Sequence, residues 1–544
     1  MLKQNFTILT AAAVLFLGGL CDAAVITANN PSFSAVSTAV AQASPGDTVM
    51  VAAGIAVWTN SLLIGKNIQL IGAGIGQTII VDEEPRSGRS DNVIFWITTS
   101  NGVARLSGFT FAGGTTNVSI AFDGAINVSG TCGAFRLDHC KFNNLFNANV
   151  FVSQAVFGVV DHCQFYETNW ANGIEVENGQ IGGDQAGYGD VSWATPVQWG
   201  QTNDFFYIED CIFSCPTRGP GVDDFCRGTR LAFRYNVVTN YFFQNHGTES
   251  SQRFRSGRAA EIYGNIFVNT SNPLEDPLIN LRGGTGVVFS NNVVGFRNLF
   301  KLQNFRSTAR YHPWGSANGQ NSWDSNNPSL LATGTVTGAP VGVYGDIHLQ
   351  DMNANWTVNQ WVGGYELQNV SLGGTNPVTF SLIYSNSAHD IYYLSDPGGN
   401  YIHWTNGQTY AIYQSYAQLD QVGRGQGDLV ADTSPGNGVP VNTVTGQPTW
   451  PNEASEPLYQ WGNTFNGTPN YAVGPDGDTG SYNVIKYGRD YFDNTVKPGY
   501  TPLVYPHPLV SSLGTVPGTG GGTTTGTGTV GPPADLQAHP PTPH

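Results

Sequence analysis

The chain has 544 residues, a formal net charge of −16 and only 11% charged residues. That acidity argues against a nucleic-acid partner, which needs a basic face, and favours solubility. With 68 glycines and abundant Asn and Thr, the composition suits turn-rich β-structure rather than helical bundles.

Met1-Leu-Lys3, the 13-residue apolar run Ile8 to Leu20 and the small residues Ala23-Ala24 predict a secretory leader over 1–23. The run is too short to span a bilayer. No other long apolar segment occurs, so the mature chain is read as exported, with no membrane span. Cys21 suggests a lipoprotein site, but Leu20 stands where such a site needs a small residue.

Turn-and-strand units follow at Pro45-Gly-Asp-Thr-Val-Met-Val51, Ile68-Gln-Leu-Ile-Gly-Ala-Gly74 and Arg105-Leu-Ser-Gly-Phe-Thr-Phe111. From Leu137 to Val294 one pattern recurs six times: an apolar residue, two polar or small ones, Cys or Asn, any residue, then Phe or Val. The segments are Leu137-Asp-His-Cys140-Lys-Phe142, Val160-Asp-His-Cys163-Gln-Phe165, Ile208-Glu-Asp-Cys211-Ile-Phe213, Phe233-Arg-Tyr-Asn236-Val-Val238, Ile262-Tyr-Gly-Asn265-Ile-Phe267 and Phe289-Ser-Asn-Asn292-Val-Val294. Their Cys/Asn positions lie 23, 48, 25, 29 and 27 residues apart. A period in the twenties means stacked units that cannot bury an apolar face alone. The spacing predicts an all-β parallel β-helix over 24–310, one coil per period. The 48-residue gap holds either a degenerate coil or a long loop.

Residues 166–205, with Trp170, Trp193 and Trp199, break the period and read as an ordered loop walling a cleft. Residues 311–455 read as further irregular coils with long loops, and 456–512 as a C-terminal cap. Residues 513–544, rich in Gly, Thr and Pro, form a tail without a core. Cys140 and Cys163 share a slot as a stacked pair or a disulfide. Cys215 and Cys226 bracket a loop that a disulfide would close, or stay free.

The Asp-His-Cys-x-Phe and Asn-x-Phe repeats resemble secreted right-handed parallel β-helix proteins of the pectin-lyase-like class. Asn245-His-Gly-Thr-Glu249 and Arg258-Ala-Ala-Glu-Ile-Tyr-Gly-Asn-Ile-Phe267 extend that resemblance to uncharacterised bacterial members. It covers about 30 to 310 well and implies a single-stranded right-handed solenoid with a carbohydrate ligand. It says less about the reaction, because this fold carries lyases, hydrolases, esterases and plain binding proteins.

Three constellations bear on chemistry. Between Arg253 and Arg310 stand eight Lys/Arg against three acids. A β-eliminating lyase needs cations to neutralise a uronate carboxylate and acidify the adjacent C–H, and a base to take that proton. Arg253-Phe-Arg255-Ser-Gly-Arg258 is similar to the Arg-rich segment of pectate lyases, without its prolines. On this reading Arg255, Arg258, His246 and Glu249 are catalytic, while Arg227, Arg253, Arg282 and Lys301 bind substrate. Arg227, Arg255 and Arg282 stand nine or ten residues before the slots of Asn236, Asn265 and Asn292, which predicts one column of arginines. Arginines bonding turn carbonyls are the structural alternative.

The second constellation is Asp138, Asp161 and Glu209, one slot of successive coils, which would suit Ca²⁺ or simply serve turns. The third is Asp223 and Asp224, then His246, in the order of functional groups in polygalacturonases. The expectation is therefore a monomeric secreted lyase acting on an acidic, uronate-containing polysaccharide. A glycoside hydrolase and a non-catalytic surface, adhesion or glycan-binding protein are the alternatives.

Overall fold

In a computed structural model, the residues described are 23–85, 93–115, 125–145, 149–168, 173–179, 190–216, 221–245, 256–271, 278–303, 330–338, 347–362, 365–372, 380–393, 402–414, 421–425, 454–476, 481 and 485–513. They form a right-handed parallel β-helix. Each coil visits three faces. A twelve-stranded first sheet runs from Val25–Ala28 to Tyr491–Phe492, and an eleven-stranded second sheet begins at Gly54–Trp58. The third face is split into a five-stranded sheet, Leu62–Ile64 to Ile174–Glu177, and a four-stranded one, Gly221–Asp224 to Phe300–Leu302. No helix among the described residues is long and apolar enough to cross a membrane. The helix Phe33–Gln42, N-capped by Ser32, buries Val36, Ala39 and Val40 in the core of the first coils.

The repeat encodes the corner between the first two sheets. One residue there is left-handed in every coil: His139, His162, Asp210, Tyr235, Gly264, Ser290 and Gly462. The next position carries Cys140, Cys163 and Cys211, then Asn236, Asn265, Asn291 and Asn463. Each Asn Oδ1 accepts from the backbone N–H of the coil before, with 2.9 Å at Cys211, 2.8 Å at Asn236, 3.1 Å at Asn265 and 3.0 Å at Asn291. Each Nδ2 donates to a carbonyl of that coil, as Asn236 does to Ile208 at 3.0 Å. The ladder therefore satisfies amides that the turn buries. The last repeat is shifted by one residue from the sequence pattern. Asn292 pairs with Ile266, so Asn291 holds the slot and Phe289 lies on the outer face against Tyr263.

Two residues further, Phe111, Phe142, Phe165 and Phe213 stack with centroids 5.3, 4.8 and 4.5 Å apart, and the column continues through Val238, Phe267, Val293 and Phe465. All are buried. The six described cysteines are buried thiols, and Cys215 and Cys226 are not joined. The 48-residue gap is one coil plus a loop: Ile174–Glu177 completes the coil, and the loop carries the helix Asp190–Ala194, with Trp193 buried.

The described residues between 330 and 414 do not continue the stack, contrary to the expectation of further coils over 311–455. Their described strands make a six-stranded antiparallel sheet with its own core around Leu349, Leu367, Ile383, Tyr410 and Ile412. Parallel coils resume when Leu458–Trp461 pairs with Thr285–Phe289. A turn of a solenoid tolerates so large an insertion because the flanking strands still meet in register.

The C-terminal region also differs from a simple end cap. It supplies one more coil, Leu458–Trp461 and Thr464–Phe465, and the last strand of the first sheet, Tyr491–Phe492. Residues 495–513 then run back along the outside of the first sheet. Tyr500 meets Trp461, the Leu503 carbonyl accepts from Arg234 at 2.7 Å, and the Leu513 carbonyl accepts from Arg105 at 3.2 Å. This strap touches coils far apart in the stack.

Candidate functional site

The strap covers the predicted acidic column. Asp138, Asp161 and Glu209 stand in register on the outer face of the first sheet, followed by Arg234 and Tyr263. Arg105 grips Asp138 with two bonds of 2.7 Å, and Arg136 grips Asp161 with two of 2.8 Å. Arg234 reaches Glu209 at 2.7 Å, and the His507 backbone N–H donates to the same carboxylate at 2.7 Å. All three carboxylates are buried. Burial would raise Asp138, but its bonds from Arg105 and His139, with the Arg136 charge, hold it well below the usual carboxylate range. The repulsion that would have called for a cation is met by arginine. These residues do not fit a Ca²⁺ site, because their oxygens already face guanidinium groups and strap amides. Among the described residues no group of three or more His, Cys, Asp or Glu is arranged to hold a metal.

Glu261 is buried beside this column. It accepts from the Gly200 N–H at 2.8 Å and the Tyr500 hydroxyl at 2.9 Å, with Arg234, Asp204, Tyr207 and Tyr263 nearby. Burial raises it from an ordinary 4.5 to about 7 despite those bonds. A carboxyl raised in this way binds its proton more tightly in the folded chain. Its stabilising contribution is full below about pH 4.5 and is lost as pH rises through about 7. Burial holds His507 down to about 4 from 6.5, so its contribution is present above pH 6.5 and lost as pH falls. Glu261→Gln should therefore flatten the decline of Tm with rising pH, keeping the Gly200 bond at its oxygen and turning its amide towards the Tyr500 hydroxyl. An unchanged slope would show that Glu261 does not carry a proton in the fold.

The cationic residues divide. Arg258 is fully buried, 5.5 Å from the Trp193 ring, bonded to Glu456 and to the Thr195 carbonyl. It ties the 190–205 loop and the returning chain to the stack, out of reach of a polymer. Arg227, Arg282 and Lys301 are half-buried. Arg227 lies 2.8 Å from Glu177, and Lys301 lies 2.9 Å from Asp476. The Arg282 backbone N–H donates to the buried Asn245 side chain, whose amide also bonds the Gly283 carbonyl at 3.0 Å. His246, Glu249, Arg253 and Arg255 lie outside the described residues. Asp223 and Asp224 end the strand Gly221–Asp224 on the third face.

The expected column of three arginines changes composition once the ladder is read from Asn291. Arg227, Ser256 and Arg282 each stand nine residues before Asn236, Asn265 and Asn291. Ser256 falls at the middle place by this count and forms an antiparallel bridge with Cys226, the neighbour of Arg227, while Arg255 lies outside the described residues. On the adjoining strands, Gln244, Asn280 and Lys301 are in register. The Asn280–Lys301 row, beside Arg282, had no sequence motif to announce it, because alternation within three-residue strands is too short to read.

No protein-family model matches the chain, and neither does any curated protein. Two solved structures share some of its architecture. One is the PL6 family polysaccharide lyase Pedsa3628 from Pseudopedobacter saltans, 16% identical over 54% of this chain and 70% of that one, with a TM-score of 0.35. The other is an alginate lyase from Paenibacillus sp. str. FPU-7, 13% identical over 51% of this chain and 97% of that one, with a TM-score of 0.21. Similarity at that level decides nothing about the reaction.

Proposed function

We propose that this is an exported polysaccharide lyase that binds an acidic, uronate-containing chain along the third face and cleaves it by β-elimination. The observation that carries this reading is the gathering of Arg227, Arg282 and Lys301 along one edge of that face, where Arg227 and Lys301 each also meet one carboxylate, Glu177 and Asp476. Lys301 and Asn280 are in register on adjacent strands, Arg282 follows at the strand end with its backbone held by Asn245, and Arg227 takes the same turn position two coils earlier. A polymer with one carboxylate per sugar meets such an edge at repeated points.

The chemistry needs little more. A cation against the carboxylate spreads the charge that develops when the neighbouring C–H loses its proton. The base takes that proton, the electron pair forms a C=C bond, and the glycosidic oxygen leaves to be protonated. The segment between Asn245 and Ser256 carries His246, Glu249, Arg253 and Arg255, from which we draw the base. Its two ends are fixed next to Arg282 and Arg227.

Purified protein should release unsaturated, ultraviolet-absorbing ends from at least one uronate polymer. Arg282→Ala should lower kcat/KM by roughly 100-fold, the order seen when one charge-stabilising group is lost. Lys301→Ala, which leaves the Asn245 anchor untouched, should act in the same direction. New reducing ends without unsaturation would replace elimination by hydrolysis, and neither product from any glycan would leave a binding protein.

A further inference from the structure

The third face has a second half, on the N-terminal side of the cationic edge, that the lyase reading does not use. In its five-stranded sheet one register row runs through Leu63, Trp96, Asn127, Phe151 and Glu175, with Asn127 buried between the two rings. Their strand neighbours point inward. Phe95 is buried and its ring meets those of Trp58, Phe109 and Phe111, whereas Trp96 and Phe151 are half-buried and have no ring partner among the described residues. Leu63, at the start of the row, is 67% exposed. Two aromatic rings therefore stand outward on alternate coils, about two strand spacings or roughly 9–10 Å apart, with Asn127 between them.

Neither ring is needed to fill the core, which the Phe111 to Phe213 column and the inward Phe95, Val128 and Val152 already occupy. A ring half-sunk in a sheet keeps its position with few rotamers to lose, and so presents a flat apolar face at low entropic cost. A pyranose has a matching apolar face of C–H bonds. In an extended glycan whose residues alternate in orientation, that face turns the same way at every second sugar. Platforms on alternate coils suit that repeat.

We infer that Trp96 and Phe151 are stacking subsites for alternate sugars of an extended glycan, continuing the groove whose cationic end is Arg282 and Lys301. The inference rests on the third face being the glycan face, as in the proposed function, but not on the reaction being an elimination. It makes the protein a reader of chain length. Short oligosaccharides held at the cationic end cannot reach Trp96, which lies on the far side of the strands Ile126–Gly130, Val150–Ser153 and Ile174–Glu177.

The test uses the full chain with polygalacturonate and polymannuronate as polymers, and with their trisaccharides. Affinity is measured by calorimetry and by quenching of tryptophan emission. Trp96→Ala and Phe151→Ala should each weaken binding of the preferred polymer by about ten-fold, while binding of its trisaccharide stays within two-fold and Tm is kept. Trp96→Tyr should restore most of the loss, because it keeps a flat ring. The inference is overturned if both variants bind polymer like the native chain, if polymer and trisaccharide weaken alike, or if the native chain binds neither polymer. A native chain that binds polymer through Trp96 and Phe151 yet yields no unsaturated ends would uphold these subsites and remove the lyase reading.

Discussion

Replacing Arg234 with alanine is expected to destabilise the chain by about 3–5 kcal/mol, and to release the C-terminal strap. Arg234 is fully buried. Its guanidinium meets Glu209 at 2.7 Å, the Tyr263 hydroxyl at 2.9 Å, the Leu503 carbonyl at 2.7 Å and the Val504 carbonyl at 3.3 Å. Removing it leaves a buried carboxylate without its cation and strips the strap of two donors. The cost of an uncompensated buried charge exceeds what the ion pair contributes net. Arg234→Met combined with Glu209→Gln should therefore recover much of the loss, since neither member of this pair then leaves an uncompensated charge. Denaturant midpoints measure the stability, and protease nicking beyond residue 495 reports the strap. A shift below about 1 kcal/mol for Arg234→Ala would mean that the ion pair is dispensable, and the strap would then be held by its side-chain packing.

Phe213→Ala is expected to cost about 3–5 kcal/mol as well, for a different reason. The ring is buried, lies 4.5 Å from Phe165 with an interplanar angle of 4°, and meets Phe233 and Tyr241 on its other sides. Rigid sheets on three sides hold the cavity open, so little relaxation is available to offset it. In a solenoid each coil rests mainly on its neighbours, so a void in the middle weakens two interfaces at once. Phe267→Ala should behave similarly, because Phe267 occupies the same column two coils on. Cooperative unfolding displaced by less than about 1 kcal/mol in both variants would show that the aromatic column is filling space rather than holding the coils together.

The period and chemistry of the coil were legible in the chain itself. A residue able to turn left-handed, then Cys or Asn, then an aromatic two places on is a local requirement of one corner, so it repeats wherever the corner repeats. Asp138, Asp161 and Glu209 could likewise be placed in one column, because identical slots of successive coils must stack. What those carboxylates do could not be read locally. Their partners Arg105 and Arg136 lie one coil away, and the strap carbonyls and amides that seal them come from residues 503–513, hundreds of positions downstream.

The sequence by itself determined that the chain stacks short β-units, which side chains form the corner ladder and the aromatic core, and that its charged residues fall into columns. Only the tertiary structure decided the register of the last repeat, where Asn291 rather than Asn292 completes the ladder. Both residues satisfy the local pattern, and what separates them is that Asn291 accepts from the Asn265 N–H of the coil before and donates to Asn463, 172 positions on. Only the tertiary structure, too, gathered the described strands between 330 and 414 into a sheet with its own core, buried the acidic column beneath the returning chain, and left Trp96 and Phe151 facing outward. In each case one segment admits two placements of similar local energy, and the contacts that separate them are made by residues remote in the chain.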